Sequence, residues 1–110
     1  MKLIYIAGPY SAPKESGVFD NIMRARAKAL ELWRQGYAVI CPHTNTGWLP
    51  LSLDEVIGGD LEILNRCDAI YLLRGWRMSK GSVREWKRAI SLKLTIYEQD
   101  VKEPSAKKRC

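Results

Sequence analysis

Apolar residues along this chain fall in short, nearly continuous runs, separated by longer stretches in which they recur every three or four positions. The first run, Leu3-Ile4-Tyr5-Ile6-Ala7, is followed by Gly8-Pro9 and predicts a buried strand over residues 2–7. After a loop through Gly17, Ile22, Ala25, Ala29, Leu32 and Trp33 keep helical spacing, with Arg24, Lys28 and Glu31 on other faces. Residues 20–35 are therefore predicted helical, with Gly36 as the stop. A second apolar run, 37–41, predicts a strand closed by Pro42, and residues 43–52 read as a polar loop holding Trp48 and Pro50.

Ser52-Leu53-Asp54-Glu55 has the spacing of a capping box, in which serine and glutamate satisfy backbone donors of a helix start. A helix is predicted from there, interrupted or bent at Gly58-Gly59 and continuing over 60–66 with Leu61 and Leu64 inward. A third strand at 69–73, a turn at Ser79, a helix at 82–92 and a fourth strand at 95–97 complete the pattern. Strands and helices alternate throughout. Near-continuous apolar strands in that order imply a doubly wound α/β fold of flavodoxin or Rossmann type, with a parallel sheet of four to five strands covered on both faces. Ligands in such sheets bind beyond the carboxyl ends of the strands. That rule selects Gly8-Pro9-Tyr10-Ser11, His43-Thr44-Asn45 and the stretch from Arg74 to Ser82. There is no P-loop, G-x-G-x-x-G fingerprint or internal repeat.

The length of 110 residues suits a single domain, read here as 1–98 followed by a basic, flexible tail at 99–110. With 46% hydrophobic and 27% charged residues, and no apolar run long enough to cross a bilayer, the composition is that of a soluble globular protein. The apolar start is too short for a secretory signal, so a cytoplasmic, membrane-free protein is expected. Cys41, Cys67 and Cys110 form no C-x-x-C pair, and their odd number argues against a disulfide framework. With His43 the one histidine, a zinc site would lack ligands, so no metal is expected. The net charge of +6 changes the picture more. Arg74, Arg77, Lys80, Arg84, Lys87 and Arg88 crowd one turn, which favours anionic ligands such as nucleotides or nucleic acid.

That turn, Ser79-Lys80-Gly81-Ser82, opens a helix and sets Glu85 in its first turn. A helix start presents unpaired N–H groups that suit a phosphate. A carboxylate beside such a site suits attack on the anomeric carbon of a sugar phosphate, with the basic neighbours keeping it ionised. Ser82-x-x-Glu85 is equally a capping box, and both readings stand.

Four pieces stand in order along the chain: Ile4-Tyr5-Ile6-Ala7-Gly8-Pro9-Tyr10-Ser11, Gly36-Tyr37-Ala38-Val39-Ile40-Cys41-Pro42, Asp60-x6-Cys67-Asp68-Ala69 and Ser79-x-Gly81-x3-Glu85-x3-Ala89. Together they resemble the nucleoside 2-deoxyribosyltransferase superfamily, which includes the deoxynucleoside monophosphate N-glycosidases. The likeness is closest to the small phage and bacterial branch of unknown function, of DUF4406 type. It implies Glu85 as nucleophile, Asp60 as a residue that positions the sugar and moves protons, and Ser79 and Gly81 as parts of a phosphate turn. The approach to the glutamate, Gly75-Trp76-Arg77-Met78-Ser79, differs from the acidic, Gly-Thr-containing transferase pattern.

Other candidates carry paired readings. Asp60 is alternatively a helix-kink residue, and Asp68 a cap between helix and strand. Gly8, Tyr10 and Ser11 line a sugar or base pocket or form a turn. Trp76 and Trp48 stack on a base or cover a core edge. His43 contacts the base or satisfies a local hydrogen bond. Asn21 reaches the sugar or begins its helix, and Ser82 caps its helix or binds phosphate. The expected function is cleavage of the N-glycosidic bond of a (deoxy)nucleoside or its 5′-monophosphate through Glu85, without cofactor, in a homodimer or tetramer. The alternative is a non-catalytic nucleotide- or nucleic-acid-binding module built on the basic turn at 74–88.

Overall fold

Leu3–Ala7 (β1) is one of the two central strands of the sheet, paired on both of its edges. Ala38–Ile40 (β2) lies on one side and Ala69–Leu72 (β3) on the other, with Thr95–Glu98 (β4) beyond β3, giving the order β2-β1-β3-β4. All pairings are parallel, with Ile4 opposite both Val39 and Ala69, and Ile70 opposite Ile96. The four-stranded doubly wound sheet expected from the alternation is present in this computed structural model, which describes residues 1–100. Most of the expected tail, 101–110 including Cys110, lies outside the described residues. Gln99 and Asp100 are fastened to the body: the Gln99 N–H donates to the Leu72 carbonyl and Asp100 pairs with Arg74 at 2.7 Å.

Strand alternation sends Ile4 and Ile6 to one face, where Glu15–Arg34 (α1) covers them with Ala25, Ala29 and Leu32. Tyr5 and Ala7 go to the other face with Ile70 and Leu72, under Leu53–Leu64 (α3) and Lys80–Ser91 (α4). The helix Pro42–Asn45 (α2) and a 3-10 turn at Trp76–Met78 sit at the carboxyl edge. No helix among the described residues is long and apolar enough to cross a membrane.

Several boundaries differ from the sequence expectation for identifiable reasons. α1 starts at Glu15, about one turn before the predicted start; its N-cap, Lys14, offers only its carbonyl to Gly17 and Val18, so no capping side chain announces it. Pro42 begins a helix rather than ending in a loop, since its fixed φ suits the first helical position. α3 runs unbroken through Gly58-Gly59, although glycines cost a helix interior about 1 kcal/mol each, because its Leu61 and Leu64 face is buried. Its start is as expected, with the Ser52 hydroxyl accepting from the Glu55 N–H at 3.2 Å. Gly36, at φ +97°, closes α1 with paired bonds from Gly36 to Trp33 and from Tyr37 to Leu32.

Candidate active site

The strand order reverses between β1 and β3, and the chain leaves both strands there on the carboxyl side. Leu73 donates its N–H to the Ala7 carbonyl at 2.8 Å, so the two strand exits stay paired. Gly8 is required by this approach: a Cβ there would lie 2.7 Å from the Leu73 Cβ.

α4 begins at Lys80, two residues before the expected start, and Ser79 is its cap, with the side chain accepting from the Ser82 N–H at 3.2 Å. The Ser82-x-x-Glu85 capping box therefore does not form. Ser82 is buried and donates its hydroxyl to Ser79 Oγ at 3.0 Å. Glu85 lies in the second turn and faces the sheet, 8% exposed. There the fully buried Tyr5 of β1 donates its phenol to Glu85 Oε2. Asp60, 9% exposed on α3, acts electrostatically on both Glu85 and Tyr5. Tyr5 and Glu85 thus form a buried hydrogen-bonded pair from a strand and a helix, and the Asp60 charge on a second helix acts on both.

Burial dominates the charge state of these residues. Loss of water raises the Glu85 pKa from 4.5 to about 7; the Tyr5 hydrogen bond and Arg84 pull it down, and the Asp60 charge adds to the rise. The expectation that basic neighbours hold Glu85 fully ionised is corrected by this balance. Burial likewise raises Asp60, and burial with the Glu85 charge raises Tyr5, which stays a hydrogen-bond donor. Tyr5 escaped the sequence reading because it sits in an apolar run. A signal existed: a buried tyrosine in a central strand requires a partner for its hydroxyl.

The remaining candidates fall in two places. At the start of α4, a Cβ on Gly81 would meet no atom within 4 Å, so the space beside Gly81 is open. Around the β1 exit, Asn21 is buried in the second turn of α1, not at its start, and donates to the carbonyls of Tyr10 (3.1 Å) and Ser11 (3.5 Å). His43, 4% exposed, bonds through Nε2 to the Pro9 carbonyl at 2.9 Å, and burial lowers its pKa. Tyr10 is half-buried with its ring 5.8 Å from that of His43, and Ser11 is exposed.

Trp76 is buried in the same apolar cluster as Tyr5, with Trp86 at 5.3 Å and the Arg77 guanidinium over its ring at 4.9 Å. Trp48 is exposed beside Phe19. Asp68 receives the Leu3 N–H at 2.8 Å and joins the starts of β1 and β3. Part of the basic cluster is engaged within the protein: Arg74 with Asp100, Arg77 with Glu98 at 3.8 Å, and Arg88 with Asn65. Lys80, Arg84 and Lys87 are exposed.

Two solved structures resemble this arrangement of strands and helices. The 2-deoxyribosyltransferase of the psychrotolerant bacterium Bacillus psychrosaccharolyticus superposes with a TM-score of 0.67 at 20% identity, over 87% of this chain and 70% of that one. A 2-deoxyribosyltransferase from Leishmania mexicana gives 0.57 at 22% identity, over 89% of this chain and 63% of its own. At these identities the likeness is one of fold. No curated protein matches the sequence. The family model described as a domain of unknown function, DUF4406, matches residues 2–98. The chain therefore belongs to the DUF4406 family, a branch of unknown function with a 2-deoxyribosyltransferase-like fold.

Proposed function

We propose that the protein cleaves the N-glycosidic bond of a (deoxy)nucleoside or its 5′-monophosphate, with Glu85 as nucleophile, acting as an N-glycosidase or deoxyribosyltransferase. The observation that carries this reading is the buried Tyr5–Glu85 pair, with the Asp60 charge acting on both. A carboxyl buried beside a second carboxyl destabilises the fold, and such perturbed pairs concentrate where acid-base or nucleophilic chemistry is done. The ionised Glu85 attacks the anomeric carbon while the C1′–N bond breaks, forming a glycosyl ester. Tyr5 donates to the nonattacking carboxylate oxygen and fixes its direction. A proton supplied through Asp60 or water reaches the departing base. Water then attacks C1′ as the C1′–O bond to Glu85 breaks, giving its proton to Asp60 or to solvent and regenerating the Glu85 carboxylate; a second base in its place completes transfer. The start of α4 at Ser79 and Gly81, open beside Gly81, would receive a 5′-phosphate, with Lys80 and Arg84 nearby in sequence. Tyr10 and Ser11 would line the sugar and base side. Exposed Trp33 and Trp48 support a homodimer or tetramer, which sedimentation would detect.

The test is chromatographic detection of free base after incubating wild type and Glu85→Gln with nucleosides and nucleoside monophosphates, with and without a second base. Base released by the wild type and lost in the variant supports the reading, and the second-base samples separate hydrolysis from transfer. Nucleotide binding without base release from any substrate would replace it with the binding module.

A further inference from the structure

His43 is a buried polar side chain that the proposed chemistry leaves unused. It is 4% exposed, its Nε2 lies 2.9 Å from the Pro9 carbonyl, and its Nδ1 is buried without a hydrogen-bond partner among the described residues. A carbonyl only accepts, so Nε2 carries the proton and the neutral ring has a bare Nδ1. The backbone that carries the ring is closely packed: a Cβ on Gly47 would lie 2.0 Å from the His43 carbonyl oxygen. On the next two residues, Asn21 takes the Tyr10 and Ser11 carbonyls. Three successive carbonyls of the β1 exit are thus held by two buried side chains from α1 and α2.

A trans peptide is planar, so fixing the Pro9 carbonyl also fixes the direction of the Tyr10 N–H and the start of the Tyr10 backbone. We infer that His43 is a positioning residue: through its Nε2–H bond to the Pro9 carbonyl it sets the Tyr10-Ser11 segment that forms one wall of the site, and protonation of its ring releases that segment. This rests on the site proposed above, although the loop it controls is measurable without any reaction.

The chemistry of release follows from the surroundings. A proton added at Nδ1 leaves the Nε2–H donor in place but creates a second, buried donor with no hydrogen-bond partner among the described residues, and no opposing charge there acts on the cationic ring. The titratable groups around it are Tyr10 in the loop, with its ring 5.8 Å away, Cys41 at the start of α2, and in α1 Asp20 next to the buried Asn21 and Arg24, which donates to Asn21. The lowered His43 pKa owes nothing to any of their charges, only to burial opposed by the Pro9 and Gly8 carbonyls. Folding therefore favours the neutral ring, and the latch opens as pH falls below the range of an ordinary histidine.

The experiment is NMR of the full chain, labelled with nitrogen-15, titrated from about pH 8 to about pH 5, following the His43 ring and the Tyr10 and Ser11 amides. At neutral pH the ring should show the Nε2–H tautomer. On acidification the two amides should move with the same midpoint as the ring. His43→Gln, whose side-chain amide can donate to Pro9 without titrating, should keep the neutral-pH amide positions and lose the midpoint. His43→Leu should displace both amides at every pH, and if it does not fold, the glutamine variant and the wild-type titration still decide. A ring that titrates while both amides stay still, or a glutamine variant that retains the midpoint, would overturn the inference. In base-release assays, His43→Leu should raise KM about tenfold with kcat within about twofold, with His43→Gln near wild type. Absence of base release in the wild type would remove the glycosidase reading and leave the NMR result to judge the latch.

Discussion

Glu85 is held where its charge is disfavoured, and that has a measurable thermodynamic signature. Its folded pKa of about 7 lies above the ordinary 4.5, so the folded state binds the proton more tightly than the unfolded chain. The stabilisation from the neutral carboxyl is full below about pH 4.5 and is lost as pH rises through about 7. Glu85→Gln should therefore match the wild type near pH 4.5 and exceed its stability by about 3 kcal/mol at pH 8, read from urea unfolding. Equal stability at both pH values would show that the carboxyl pays no burial penalty. Tyr5→Phe removes the donor that opposes this rise. The variant should lose about 1–3 kcal/mol of stability, and its base-release profile should shift to higher pH.

Helix ends explain both the success and the misplacement of the sequence reading. α4 is started by Ser79, whose hydroxyl accepts from the Ser82 N–H and hydroxyl, so Ser79→Ala should cost about 1 kcal/mol in thermal or urea unfolding. The spacing Ser82-x-x-Glu85 imitates a cap, but burial of Ser82 and Glu85 shows that these positions face the core, one turn further in. Local spacing alone does not separate a cap from a buried polar pair. The other end of α4 is closed by Lys93 at φ +60°, with bonds from Lys93 to Ile90 and from Leu94 to Ala89. A lysine pays for a conformation that glycine adopts freely, so Lys93→Gly should stabilise the protein by about 0.5–1 kcal/mol despite the extra freedom of the unfolded chain. Gly36 advertised the matching end of α1 in the sequence; Lys93 gave no such sign.

Taken as a molecule, the parallel sheet was legible because its strands are continuous apolar runs, which only burial on both faces explains. Glu85 and Asp60 were singled out in the sequence, Asp60 through the resemblance, but the meeting of Glu85 with Tyr5 depends on register and helix packing, which join residues 80 positions apart. The order β2-β1-β3-β4 sets the exits of β1 and β3, with Gly8 and Leu73, side by side. Close contact of Gly8 with Leu73 holds those exits together, and Gly8→Ala should destabilise by about 1–3 kcal/mol through overpacking. The most direct measurement is the rate of base release from about pH 5 to about pH 9 by wild type and Glu85→Gln side by side. The expected result is a wild-type rate that rises through about pH 7, as Glu85 ionises, and a variant slower by about a thousandfold or more at every pH. Base release by Glu85→Gln within about tenfold of the wild type, with the same pH dependence, would contradict a nucleophilic Glu85.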